Sequence, residues 1–98
     1  MTTYILAQIS IHDRERYERY RAAFMPVLIK YKGRLLVADE DPEVLHGEWR
    51  GDKVILMGFA DAESALRWMN SPEYKAISVD RLAATEGVAL LLHGLAGG

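Results

Sequence analysis

KVILMGFADAESALRWMNSPEYKAISVDRLAATEGVALLLHG, residues 53–94, decides the fold, because it holds a strand, a broken helix and a second strand in that order. KVILMGFA (53–60) is apolar at almost every position. At a period of two, Val54 and Leu56 point one way while Ile55, Met57 and Phe59 point the other. Asp61 supplies a helix N-cap, with Glu63 and Ser64 in the first turn. Ala62, Ala65, Leu66 and Met69 form the expected apolar stripe. Asn70-Ser71-Pro72 ends that helix and starts another, with Ser71 as cap and Pro72 at the first helical position. Tyr74, Ile77, Arg81 and Ala84 share one face of the second helix, which Gly87 is expected to end. VALLLHG (88–94) reads as the last strand.

Working back toward the N-terminus, YILAQISI (4–11) alternates. Ile5, Ala7, Ile9 and Ile11 lie on one face, and Tyr4, Leu6, Gln8 and Ser10 on the other. Asp13 caps a helix whose Tyr17, Tyr20, Phe24, Leu28 and Tyr31 recur every three or four residues. Pro26 interrupts that pattern and predicts a kink or a split near Phe24–Met25. Gly33 is the expected stop. RLLVAD (34–39) forms a second strand, EDPE a turn, and Gly51-Asp52 another. VLHGEW (44–49) reads as extended, either continuing the second strand past a bulge or pairing briefly with its neighbour.

The order is β-α-β-β-α-β. That is the α+β, ferredoxin-like split βαβ arrangement, with an antiparallel four-stranded sheet and helices on one face. Residues 1–94 form the expected single domain, and 95–98 a flexible tail. A sheet covered on one side should alternate apolar and polar residues. LLVA, VILM and VALLL are apolar on both faces. Each such side chain left in water forfeits about 1.5–3 kcal/mol. A second copy packed sheet to sheet would bury them, so a homodimer is predicted.

The chain has 98 residues, 50% of them hydrophobic and 27% charged, with a net charge of −2. Arg14, Arg16, Arg19 and Arg21 are interleaved with Glu15 and Glu18, so they read as a solvated helix face and not a nucleic-acid footprint. The absence of cysteine excludes disulfides, thiolate metal sites and cysteine nucleophiles. MTTYILAQISIHD lacks a basic start and an unbroken apolar core, so it is not a signal peptide. No apolar run approaches the ~20 residues of a membrane span. A cytoplasmic location is the expectation. No glycine-rich phosphate loop, nucleophile elbow or HExxH occurs, and no cofactor is expected.

YERYRAAFMPVLIKYKGRLLVADEDPEVLHGEW followed by AESALRWMNSPEYKAISVDR resembles a family of small bacterial proteins known as a domain of unknown function, within the dimeric α+β barrel superfamily. The resemblance rests on the Tyr-x-x-Tyr helix, the Gly-Arg-x-Leu strand, the Gly-x-Trp turn and the Ser-Pro-Glu-Tyr…Arg helix, in that order. It implies the same fold, the face-to-face dimer, and a small ligand held between the sheet and helices of each subunit. It implies no settled reaction, since the wider superfamily spans cofactor-independent monooxygenases, haem-degrading enzymes, muconolactone isomerases and non-catalytic stress proteins. The family pattern has Glu-Gly where this chain has His46-Gly47, and Tyr-Gly-Gly where it has Tyr31-Lys32-Gly33.

A guanidinium on a semi-apolar helix face calls for a carboxylate, a cluster of carbonyls or a ligand anion. Arg81 either pairs with Glu73, Glu48 or Asp39 or ties down a helix end, or holds a substrate carboxylate or phenolate. His46, beside Gly47, Glu48 and Trp49, is either a general base or a surface-loop histidine. No third ligand stands at motif spacing to make a metal site. His12 and His93 are strand-end residues that could approach one another. Tyr20, Phe24, Trp68 and Tyr74 are either core or the lining of a pocket for an aromatic ligand. Gln8 and Ser10 either touch a ligand or hydrogen-bond across the dimer. The primary reading is a homodimer that binds a small aromatic or carboxylate ligand through Tyr20, Phe24, Trp68, Tyr74 and Arg81. The alternative is a cofactor-independent, monooxygenase- or isomerase-like enzyme with His46 as base and Arg81 as anion holder.

Overall fold

The structure is a computed structural model that describes residues 2–95. Residues 96–98 of the predicted tail lie outside the described residues, while Gly94 still donates its N–H to the Thr2 carbonyl at 2.8 Å. The elements are β1 (Thr3–Ile11), α1 (Arg14–Lys30), β2 (Arg34–Asp39), β3 (Lys53–Phe59), α2 (Ala62–Met69), α3 (Pro72–Ala84) and β4 (Thr85–His93). The sheet order is β2-β3-β1-β4 with every neighbour antiparallel. This is the βαββαβ, ferredoxin-like arrangement, with its second helix in two pieces.

The caps form as the sequence predicts. Asp13 Oδ1 accepts the Arg16 N–H at 3.2 Å, Asp61 Oδ1 the Ser64 N–H at 2.8 Å, and Ser71 Oγ the Tyr74 N–H at 3.0 Å. Ser71 Oγ also donates to the Trp68 carbonyl at 2.8 Å, which fastens α2 to α3. Tyr17, Tyr20, Phe24 and Leu28 are the buried stripe of α1. In α2 the buried positions are Ala65 and Trp68, while Leu66 of the predicted stripe is exposed.

Four local expectations are corrected. Helix α1 runs unbroken through Pro26. Both Pro26 and Ala22, whose carbonyl loses its donor, are exposed, so water can take the unmet acceptor. The left-handed residue that ends α1 is Lys32, at φ 63°, and not Gly33. Lys32 N–H reaches the Ile29 carbonyl and Gly33 N–H the Leu28 carbonyl, both at 2.9 Å, which is a Schellman closure. Gly33 has a different task, since a Cβ there would stand 2.4 Å from Leu28 Cδ1 and 2.7 Å from Phe59 Cε1. Residues 44–49 form no strand and belong to the loop between β2 and β3. Gly87 does not end α3, which passes directly into β4 at Thr85. Instead Gly87, at φ 152°, lets two strands close up, because a Cβ would lie 2.0 Å from the Gln8 carbonyl oxygen.

The strands divide their residues between two faces. Ile5, Ile9, Met57 and Phe59 face the helices and form the core with α1, Trp68 and Tyr74. β1 and β4 pair Leu6 with Leu90 and Gln8 with Val88, so these residues share the opposite face. A bulge in β2 pairs Leu35 with Met57 and Val37 with Leu56, leaving Leu36 as the extra residue. The Cα extents are 36 × 35 × 16 Å, a slab two layers thick. No described residue covers the outer layer: Val88 is 52% exposed, Leu90 48%, Leu36 43% and Val37 39%.

A candidate ligand cavity between sheet and helices

A cavity of about 490 Å³ lies between the inner sheet face and the helices. That size falls in the usual range for small-molecule sites. Tyr20, Phe24, Trp68, Tyr74 and Arg81 all line it. The heptad spacing of Tyr74 and Arg81 places both on the side of α3 that faces α1 and the sheet. The aromatic rings form one connected wall. Trp68 lies 4.1 Å from Tyr74 between centroids, and Phe24 meets Trp68 edge-on at 6.0 Å. Tyr20 stands 5.6 Å from Phe24 and 6.2 Å from Tyr74.

Two clamps set the position of α3 against α1, which runs antiparallel to it. At one end Glu73 is bonded by Lys30 and accepts the Tyr31 hydroxyl at 2.7 Å. At the other, Asp80 accepts from Arg16 Nε at 2.9 Å and Arg19 at 3.3 Å. These contacts consume the acidic partners of α3 and leave Arg81 without one. Of the three carboxylates the sequence offers to Arg81, Glu73 belongs to Lys30 and Tyr31. Glu48 binds Arg50 at 2.7 Å, and Asp39 accepts the Asp41 N–H at 2.8 Å. Arg81 Nε is buried and has no hydrogen-bond partner, and the same holds for Trp68 Nε1.

The polar groups around these two are satisfied or nearly so. The Tyr20 and Tyr74 hydroxyls share one hydrogen bond at 3.0 Å. Burial pushes the Tyr20 phenol far above its ordinary value, and the neighbouring Tyr74 adds to the effect against the pull of the Arg81 charge. Tyr20 is therefore a proton donor to anything in the cavity and not a base. Tyr17 is pushed up to about 12 by burial first and by Glu40 second.

Three charged lining residues, Lys53, Arg21 and Glu86, were not among the sequence candidates. Lys53 has a side chain only 6% exposed, lies 5.0 Å over the Tyr17 ring and approaches Glu40 at 3.9 Å. Burial lowers its pKa, and Glu40 partly opposes that. Its inward parity with Ile55 and Met57 was the available signal. Arg21 also lines the cavity and is bound to Glu18 at 2.8 Å.

His46 lies elsewhere. It lines a shallow cleft with Gln8, Trp49 and Val54, on the outer side of the sheet. The sheet separates it from Arg81, so the structure does not bring the two together within one chain. Nor does it join His12 to His93. His93 pairs with Thr3, whereas His12 follows Ile11 at the other end of β1. At about 3.3 Å per residue they stand nearly 30 Å apart. Among the described residues no group of three or more His, Asp or Glu could hold a metal ion, and no helix is long and apolar enough to cross a membrane.

The model of one family, Domain of unknown function (DUF1330), matches residues 2–95. The chain belongs to that family. Solved structures similar to this DUF1330 protein share its fold. A protein of unknown function from Rhodopseudomonas palustris superposes with a TM-score of 0.82 at 17% identity, over 96% of this chain and 82% of that one. SnoaB, a cofactor-independent oxygenase from Streptomyces nogalater, gives 0.68 at 9% identity, over 96% and 93%. A dimeric ferredoxin-like protein of unknown function from Thermobifida fusca gives 0.64 at 13% identity, over 94% and 90%. At these identities the likeness concerns the fold alone. None of the curated proteins matches the chain in sequence.

Proposed function

We propose that this DUF1330 protein is a homodimer, joined through its outer sheet faces, that binds a small aromatic or carboxylate ligand between sheet and helices of each subunit. The observation that carries the binding reading is the unpartnered Arg81 guanidinium on the wall of an aromatic cavity of about 490 Å³. A buried donor without a partner costs about 1–3 kcal/mol, and a ligand acceptor would satisfy it. The dimer reading rests on the exposed apolar residues of β2 and β4 on the outer sheet face, and the Thermobifida fusca protein of like fold is itself dimeric.

The enzyme reading gains less support. His46 and Arg81 line different clefts on opposite faces of the sheet, so one substrate cannot touch both within a chain. Tyr20, whose phenol is pushed up by burial, would donate a proton at the cavity wall and not accept one.

A thermal-shift panel of benzoate, cinnamate, phenol and succinate tests the binding reading. At least one aromatic member is expected to raise the melting temperature, because a ligand at a hundred times its Kd adds about 2.7 kcal/mol. No shift by any member at millimolar concentration would sink it. Light scattering on a size-exclusion column tests the dimer, and a stable monomer at micromolar concentration would refute it.

A further inference from the structure

Resting on the cavity reading above, we infer that Lys53 is a covalent site: its ε-amine condenses with the carbonyl carbon of an aromatic aldehyde held in the cavity and forms an imine. Lys53 pairs across to Ile9 of β1, a core residue, so its stem points to the helix side of the sheet. It lines the cavity together with Tyr17, and its side chain is only 6% exposed. Among the described residues its Nζ has no acceptor within hydrogen-bond range, and the nearest carboxylate oxygen, on Glu40, stands 3.9 Å away. Glu40 serves Arg14 instead, at 3.0 Å, and Glu18 serves Arg21 at 2.8 Å. The Tyr17 ring, 5.0 Å from Nζ, presents its face and not a hydrogen-bond acceptor. Nor is this nitrogen sealed in, as the unpartnered Trp68 Nε1 and Arg81 Nε are.

An ammonium in this place would hold three donors with no protein group to accept them, and the neutral amine escapes that cost. Burial accordingly lowers the Lys53 pKa, with Arg21 and Arg14 adding to the effect against Glu40 and Glu18. A lysine desolvated beside other cations is the form in which this side chain becomes a nucleophile. The other three lysines differ. Lys30 is bonded to Glu73, and Lys32 and Lys75 are exposed.

The surroundings of Nζ set the class of partner. The charges of Arg14 and Arg21 balance those of Glu18 and Glu40, so an uncharged electrophile is suited there, whereas a carboxylate would face both glutamates. The Tyr17, Tyr20 and Phe24 rings of the wall set its body as aromatic. The step balances without an oxidant or reductant. The amine lone pair forms the C–N bond, the carbonyl π pair moves to oxygen, and that oxygen leaves as water with both amine protons.

The test incubates the wild-type chain with 2-naphthaldehyde and sodium cyanoborohydride, which reduces an imine to a stable amine, and maps the naphthylmethyl label by peptide mass spectrometry. Lys53 is expected to be labelled at least about tenfold faster than Lys75, because the cavity holds the aldehyde beside the amine. An excess of 2-naphthalenemethanol, which has the same rings and no carbonyl, should suppress the label on Lys53 and leave that on Lys75 unchanged. Isothermal titration of the alcohol alone reads the cavity without the covalent step, and neither measurement needs a variant to fold. If the alcohol does not bind and Lys53 is not preferred, the cavity reading and this inference fail together. If the alcohol binds but Lys53 is labelled no faster than Lys75, the cavity reading stands and the covalent site is overturned. Preferential labelling of Lys53 that the alcohol does not suppress also overturns it, since the amine then reacts with aldehyde from outside the cavity.

Discussion

Replacing Arg81 by methionine should stabilise this protein. The buried Nε has no acceptor, and Glu73, Glu48 and Asp39, the three carboxylates the sequence offers it, are engaged by other donors. An unmet buried donor costs about 1–3 kcal/mol. The residue as a whole is only partly buried, so water reaches part of the guanidinium and the low end applies. Methionine keeps most of the stem volume and adds little strain. The net expectation is a gain of about 1 kcal/mol. For a domain of this size that is a rise of about 4–8 °C in melting temperature. The assay is a thermal melt by circular dichroism, run at one fixed protein concentration because dimerisation would make the midpoint concentration-dependent. A buried ion pair would behave in the opposite way, since removing one partner costs about 3–5 kcal/mol. A fall in the midpoint of ten degrees or more would therefore show that Arg81 has a structural partner, and would refute the reasoning that it is kept for a ligand. A rise accompanied by loss of carboxylate binding is the signature of a residue retained at the expense of stability.

Three further tests address the frame of the site. Lys32→Gly removes a side chain from the left-handed region at φ 63°, and should raise stability by about 0.5–1 kcal/mol after the added unfolded-state freedom of glycine is subtracted, as chemical denaturation would read. Gly87→Ala should cost at least about 1–3 kcal/mol from backbone strain alone, because the new Cβ meets the Gln8 carbonyl and not a movable side chain; a neutral result in the same assay would contradict the observed approach of β4 to β1. Glu73 is pushed down from 4.5 to about 2 by hydrogen bonds from Lys30 and Tyr31. Its contribution is therefore complete above the ordinary carboxylate value and is lost as pH falls from 4.5 toward about 2. Melting profiles across that window should slope downward for wild type, and Glu73→Gln should flatten part of the slope.

Much of the frame was legible because it depends on local chemistry. Asp13, Asp61 and Ser71 cap their helices because a short side-chain oxygen next to an apolar periodic run serves the first free N–H groups wherever the helix is later packed. Period-two alternation put Ile5 and Ile9 on one face of β1 and Leu6 on the other without any tertiary information, and the structure turns the first face inward. The lining residues Tyr20, Phe24, Tyr74 and Arg81 were also within reach, because helical spacing puts each on a shared face of its helix, whereas Trp68 lay outside the predicted stripe of its helix. Reading failed where a residue's role depends on a neighbour distant in sequence. Gly33 and Gly87 looked like helix stops, yet they answer to Phe59 and Gln8 across the fold. His46 looked like a partner for Arg81, but the sheet lies between them.

The sequence by itself determined the element order, the caps, the split of the second helix at Ser71-Pro72 and the two-faced hydrophobicity of the sheet. All of these are set by interactions within a few residues or by a simple period. Only the tertiary structure decided which charges find one another. Arg16 and Arg19 take Asp80, and Lys30 and Tyr31 take Glu73, because α1 and α3 run antiparallel at a fixed register. That register assigns Glu73 and Asp80 to other donors and leaves the Arg81 Nε without a partner. Pairing of charges depends on distances of a few ångströms between segments more than forty residues apart, and no local pattern encodes it.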